Sequence, residues 1–276
     1  MKHRNKKISV VDTVLLCLLM LAVVAPFYIM LVGAFKPNTS LIAVPADLLP
    51  FRDFTLKNLK TVFEKSQVFL WFKNSLLISL GVALLTALIS VTAGYAFGKM
   101  RFRGKQILFM LVMATMIMPK QVLLIPNFLV ANDLGLVDKM IGVILTSLSP
   151  AFGIFLCRQY VLSLPSELFD AAEIDGCDEF RKYIHVALPL TLPALGTVLI
   201  FAFFTTFNDY LWQLVMISDK NLKTLPIGVA MFAQTQLNNK AVQLALALCA
   251  TVPLAVLFVA CQKFFIKGAT SGAVKG

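Results

Sequence analysis

Residues 74–98 read NSLLISLGVALLTALISVTAGYAFG, an uncharged run long enough to cross a bilayer as a helix. A hydrocarbon core about 30 Å thick needs roughly 20 apolar helical residues. Residues 140–157, 186–208 and 241–262 also lack charged side chains, and the stretch from Lys7 to Lys36 is broken only by Asp12 near its start. Residues 106–119 are uncharged too, but Pro119-Lys120 interrupts before the run resumes from Gln121 to Asn132. Residues 106–119 alone would rise only about 21 Å as a helix, so 106–129 is read as one crossing, kinked or opened near Pro119 and Pro126. The expectation is an all-α polytopic membrane protein with six transmembrane helices, near 11–35, 74–98, 106–129, 140–157, 190–214 and 241–262, in a single domain over residues 1–276.

Composition agrees with this. The 276 residues are 59% hydrophobic and 14% charged, with a mean hydropathy of +0.83. Soluble domains are about 45–50% apolar and about 25% charged. Lys and Arg outnumber Asp and Glu by 25 to 14, a net charge of +11. On a soluble chain that excess would suggest nucleic acid; on a membrane chain it gathers on the cytoplasmic side, and no nucleic-acid partner is expected. The basic start (Lys2, Arg4, Lys6, Lys7) and loop 99–105, with Lys99, Arg101, Arg103 and Lys105, therefore face the cytoplasm. So do loop 158–189 and the tail 263–276, which puts both termini inside. The outer loops fall near 36–72, 130–139 and 218–240. The first apolar segment is too long for a signal peptide and lacks a clear A-x-A site, so it reads as an uncleaved helix. Five scattered cysteines indicate neither a disulfide framework nor a metal site.

The residues of an enzyme are missing. Only His3 and His185 occur, without HExxH or GxSxG. Gly94-Tyr-Ala-Phe-Gly98-Lys99 is one residue short of a phosphate loop, with Met100 where Ser or Thr should stand. Gly94 and Gly98 suit close helix packing instead. If ATP is used, another subunit binds it.

The long cytoplasmic loop, from Ser163 to Pro189, reads SLPSELFDAAEIDGCDEFRKYIHVALP. Pro165 and Glu167 suit a helix's first turn, and Gly176 suits a left-handed stop after Asp175. Asp178 can cap a second helix, along which Phe180, Tyr183, Ile184, Ala187 and Leu188 form an apolar stripe. The pattern is helix, glycine turn, helix. On periodicity alone it serves equally as a docking element or as a surface hairpin.

Asp170-Ala-Ala-x-x-Asp175-Gly176 followed by Leu188-Pro189 resembles the EAA loop of ABC importer permeases, the inner-membrane components of binding-protein-dependent transport. From residue 10 to 276 the chain is similar to the carbohydrate type, exemplified by the smaller membrane subunit of the maltose transporter. The supporting motifs are Pro26-Phe-Tyr-Ile-Met, Phe35-Lys36-Pro37, Asn74-Ser75-Leu76, Tyr95-Ala-Phe-Gly-Lys, Arg101-Phe-Arg-Gly104, Gly135-Leu136, Asn208-Asp209-Tyr210-Leu-Trp212 and Ala269-Thr-Ser-Gly-Ala-Val-Lys-Gly276. Asp170 stands where the family usually has Glu, and Phe207 where Trp is common.

This resemblance implies a non-catalytic permease subunit of an ATP-driven carbohydrate importer in the bacterial cytoplasmic (inner) membrane. Its partners would be a second homologous permease, two cytoplasmic ABC ATPase subunits and an extracytoplasmic solute-binding protein. The chain would hold no cofactor, since ATP and Mg belong to the ATPase. Asp170, Ala171, Ala172, Asp175 and Gly176 would make a cytoplasmic coupling helix seated in an ATPase groove. The tail 268–276 would reach the same ATPase pair or be a flexible end. Lys120, Asn127, Asn208, Asp209, Tyr210 and Trp212 are the candidate pathway residues, by intramembrane charge or by suitability for sugars. They could equally mark the outer interface. The alternative is a self-sufficient secondary transporter or channel using Asp209 and Lys120 as a relay, which an internal helix repeat would favour. The sequence has no such repeat.

Overall fold

The computed structural model describes residues 10–37 and 53–271, with side chains to residue 259. The basic start at 2–7, part of the expected outer loop at 38–52 and the last residues of the tail lie outside these. Among the described residues every regular element is helical. Three helices are long and apolar enough to cross a membrane: α1 (Val10–Ala34), α3 (Val68–Gly98) and the Lys240–Val259 part of a longer last helix. Two bent helix pairs would raise the number to five if each were one span.

The elements fall into two compact units. In the unit formed by residues 1–68 and 229–254, α1 ends where Asn58 of α2 (Lys57–Lys65) caps it. The buried Asn58 amide donates to the carbonyls of Ala34 and Lys36 at 3.0 and 2.7 Å. These are carbonyls that a helix leaves without intrahelical partners. Phe35 stacks on Phe54, and Gln243 donates to the carbonyls of Ala233 and Gln236.

In the unit formed by residues 69–228 and 255–276, α3 is the spine. It begins six residues before the expected 74 and would extend about 46 Å, past the bilayer core. Its buried residues follow a helical stripe through successive clusters. Ile78 and Val82 pack with Ala131, Val143, Met216 and Ile227. Ala87 and Val91 pack with Cys157, Ala194 and Val198, and Tyr95 with Val161, Phe169 and Ala187. Gly94 lets the chain near Cys157 approach so closely that a Cβ on it would lie 2.5 Å from the Cys157 Cβ.

The other apolar runs are interrupted more than their composition suggests. Residues 106–129 open around Pro119, as expected, but over nine residues and not at a kink: α4 (Lys105–Ala114) and α5 (Leu124–Asp133) flank turns over 115–123. Pro126 opens nothing, because it sits in the first turn of α5, where an N–H has no intrahelical acceptor. The run 140–157 becomes α6 (Met140–Thr146) and α7 (Ala151–Leu162), bent by 54° at a break that ends in Pro150.

After α7 come α8 (Glu167–Ile174) and α9 (Glu179–Lys182), then a π turn (Tyr183–Ala187) and α10 (Leu188–Leu190). The stretch Glu179–Leu190 meets α11 (Leu192–Phe207) at 74°. The expected helix 190–214 is broken again before α12 (Leu211–Met216). Two helices follow, α13 (Leu225–Thr235) and α14 (Lys240–Ser271).

Candidate functional site

Loop 163–189 folds as two short helices around a glycine turn. The α8 helix closes in a Schellman motif, the Gly176 N–H donating to the Glu173 carbonyl at 3.0 Å and the Cys177 N–H to the Ala172 carbonyl at 2.9 Å. This requires a left-handed residue, and Gly176 has φ 77°. The Asp178 carboxylate then caps α9 by accepting the Arg181 N–H at 2.8 Å.

Of the residues expected to meet an ATPase, Asp170, Ala171, Asp175 and Gly176 are exposed. Ala172 is not: it is buried with Phe169, on the face of α8 turned toward the chain's own core. The apolar stripe also differs from expectation. Phe180 is 68% exposed, because α9 is a single turn that widens at once into the π turn, and the 3.6-residue spacing does not hold through it. Tyr183, Ala187 and Leu188 do pack inward.

A charged cluster beneath the loop went unrecognised in the sequence. Lys182 is 7% exposed, and its ammonium lies 2.6 Å from Glu179 Oε1 and 3.1 Å from Glu173 Oε2. Tyr95 of α3 donates its hydroxyl to Glu179 Oε2 at 2.9 Å. Two carboxylates and one phenol thus hold a lysine that would otherwise be costly to bury. The available signal was the Glu179-x-x-Lys182 spacing, which puts both on one helix face. Beside the cluster, Tyr95, Lys99, Phe169, Asp170, Glu173 and Lys182 help line a cleft of about 780 Å³.

The hydrogen bond from Lys182 is the main cause holding Glu179 below the ordinary 4.5, with burial opposing and Tyr95 assisting. The hydrogen bonds to Glu179 and then Glu173 raise Lys182 above the ordinary 10.5. A depressed acid stabilises the fold above its ordinary value and loses that contribution as pH falls through the depressed one. A raised base contributes below its ordinary value and loses it only as pH rises through the raised one. Glu179 and Lys182 therefore both give their full contribution between 4.5 and 10.5. The melting-temperature difference between wild type and Lys182→Met in detergent should be constant over that window and shrink below its acid edge. A difference that changed steadily across neutral pH would contradict this.

At the opposite end of α3 from Gly98, the candidate pathway residues divide by role. Lys120 is exposed in the 115–123 turns, and Asn127 is exposed on α5. Asn208, Asp209 and Trp212 hold the break between α11 and α12. The Asn208 amide donates to the Phe204 carbonyl at 2.9 Å, and Asp209 accepts the Trp212 N–H at 3.2 Å. The Trp212 indole donates to Thr146 Oγ1 at 3.1 Å while its ring packs on the apolar cluster around Met216. Tyr210 is 41% exposed.

Sequence reading missed Gln213, which is fully buried and donates to the Thr206 carbonyl across the break at 2.7 Å. It also missed Asp138, at φ 56°, whose carboxylate accepts the N–H groups of Ser218 and Asp219 at 2.5 and 2.9 Å. Neither belongs to a local motif that a sequence displays.

The described residues form helices only, several of them apolar and two pairs bent at a break. A solved structure described as a bacterial ABC transporter involved in the import of the acidic polysaccharide alginate has a chain of this fold: TM-score 0.82, covering 96% of this chain and 99% of that one at 23% identity. Residues 90–270 match the model of the family described as binding-protein-dependent transport system inner membrane component, and the chain belongs to that family. It is 34% identical over 266 residues to the arabinooligosaccharides transport system permease protein AraQ of Bacillus subtilis (strain 168), covering 96% of this chain and 95% of that one. It is 28% identical over 260 residues to the diacetylchitobiose uptake system permease protein DasC of Streptomyces coelicolor, covering 94% of each. The chain is thus a membrane permease subunit, a transport component and not a catalyst.

Proposed function

We propose that this chain is one permease of a carbohydrate importer in the bacterial inner membrane, driven by ATP hydrolysed on a separate subunit. The observation that carries the coupling is the exposure of Asp170, Ala171, Asp175 and Gly176 around a rigid, doubly capped helix turn. A small residue between carboxylates permits close approach by a groove bearing basic groups. The sugar assignment is supported by the oligosaccharide substrates named for AraQ and DasC.

In this mechanism the chain crosses the membrane six times with both termini inside, pairs with a second permease and receives sugar from a solute-binding protein. Closure of two ATPase subunits on ATP draws the docked loops together, and their displacement exchanges inward-facing for outward-facing states. The pathway passes the α11–α12 break, where Tyr210 offers an aromatic face and Lys120, Asn127 and Asn208 offer hydrogen-bonding groups. Asp209 and Trp212 position that break. A self-sufficient relay through Asp209 and Lys120 gives way to family membership, since the family's members work within binding-protein-dependent systems.

The test is co-purification in mild detergent followed by reconstitution. The isolated chain should neither bind nor hydrolyse ATP, while the recovered complex should hydrolyse it faster when sugar-loaded binding protein is added. Turnover by the purified chain alone, or concentrative sugar uptake without an ATPase, would overturn the proposal.

A further inference from the structure

Two helices adjoin the docking loop in sequence, α7 before it and α11 after it, and movement of the loop along the chain would reach those two first. The contacts of the loop lead elsewhere. Tyr95 binds Glu179 across 84 positions at 2.9 Å, the Thr92 and Tyr183 hydroxyls meet across 91 positions at 3.0 Å, and the Lys99 ammonium donates to the Leu164 carbonyl across 65 positions at 3.1 Å. Lys99 also sits 4.7 Å from the centre of the Phe169 ring. Thr92, Tyr95 and Lys99 lie at i, i+3 and i+7, on one face of the last turns of α3.

The coupling helix α8 reaches this face in two ways. Its buried residues Phe169 and Ala172 point inward, Phe169 packing in the cluster of Tyr95, Val161 and Ala187. Its one ionic link among the described residues is Glu173 to Lys182, and Lys182 passes the connection through Glu179 to Tyr95. Without that ammonium, two carboxylates would face each other across the glycine turn. The π turn directly after Lys182 carries Tyr183 toward α3, its ring 5.5 Å from that of Tyr95. A widened turn next to a buried ionic hub is the kind of local irregularity that functional sites retain.

We infer that Lys182 is a positioning residue, a clasp that locks the coupling helix to the cytoplasmic end of α3 so that the stroke enters the membrane sideways through α3. This rests on the docking role proposed above for Asp170, Ala171, Asp175 and Gly176. Asp170 lines the same cleft as Glu173 and Lys182, but Asp170 is exposed and Lys182 is buried, so the two roles are tested separately through Asp170 and Lys182.

The experiment uses the full importer in proteoliposomes and reads ATPase retention, ATP hydrolysis and sugar uptake on the same preparations. Lys182→Met keeps the length of the side chain and removes its charge. It should retain the ATPase and continue to hydrolyse ATP while sugar moved per ATP falls about tenfold, within the range typical of coupling between sites. Lys182→Arg, which can hold both carboxylates, should restore most of that ratio, which a purely steric role would not allow. Tyr95→Phe removes one hydroxyl and no packing. It should lower the same ratio, and added to Lys182→Met it should cost little more, because both act in one chain of contacts. If Lys182→Met leaves sugar per ATP at the wild-type value while Asp170→Lys still releases the ATPase, the clasp is wrong and the docking role stands. If Asp170→Lys leaves both ATPase retention and sugar moved per ATP at wild-type values, the docking role fails and takes the clasp with it. Should Lys182→Met not reach the membrane, a wild-type ratio in Tyr95→Phe overturns the clasp.

Discussion

Replacing Gly176 by Val should abolish most sugar uptake while leaving the chain in the membrane. At φ 77° a β-branched residue is strained by about 1–3 kcal/mol. No heavy atom lies within 4 Å of the position a Cβ would take, so the strain is in the backbone and not in a clash. Relief requires the turn to open, breaking the Schellman bonds and re-aiming α8 relative to α9. A loss of this size corresponds to roughly 5–150-fold in an equilibrium that depends on the pose of the loop. Gly176→Asn is the control, since Asn enters the left-handed region more readily, and it should keep most uptake. Asp170→Lys and Asp175→Lys reverse the charge on the exposed face and should release the ATPase or leave it hydrolysing without transport. Wild-type uptake and ATPase retention in Gly176→Val and both reversals together would show that the loop does not transmit the stroke.

Gly94→Val should act on the fold itself. The added Cβ would lie 2.5 Å from the Cys157 Cβ and 3.0 Å from the Arg158 backbone nitrogen, and neither can swing aside as the tip of a flexible side chain could. Overpacking of this kind costs about 1–3 kcal/mol and sometimes more. It would force α3 and α7 apart beside the buried cluster of Val91, Cys157 and Val198. The measurement is the yield of folded protein and its melting temperature in detergent. Gly94→Ala should lower the melting temperature less, and adding Cys157→Gly should recover part of the loss by removing the opposing Cβ. Gly104→Ala, at a positive φ with nothing within 4 Å, should be much milder. Equal melting temperatures for Gly94→Val and wild type would mean that the two helices do not need this contact.

The legible parts of this protein were those set by single residues or short runs. Hydropathy placed α1, α3 and the start of α14 close to their expected positions, because removing an apolar run from water is favourable whatever surrounds it. The turn at Gly176 was legible because a left-handed φ is a property of one residue, and the Asp178 cap because it spans three positions. Of the face proposed for docking, Asp170, Ala171 and Asp175 are exposed, whereas the inward turn of Ala172 follows from the packing of α8 on the core.

By itself, then, the sequence determined a membrane-embedded helical chain, the places where apolar runs end, and a capped glycine turn in the loop 163–189. The tertiary structure decided where the runs break and what the loop is tied to. The gap at 115–123 surrounds the Pro119-Lys120 interruption that the sequence displays, but its width, the bend before Pro150 inside an uncharged run and the break at Asn208–Tyr210 are set by packing. The last of these is tolerated because the Asn208, Asp209 and Gln213 side chains supply hydrogen bonds to backbone groups at the break. Lys182 looks like a solvent-facing residue in the sequence and is buried in the fold, where Glu173 and Glu179 hold it and Tyr95, far away along the chain, binds Glu179. Hydropathy and backbone preference are local free energies and can be read in order along a chain. The satisfaction of buried polar groups depends on partners that only folding brings together.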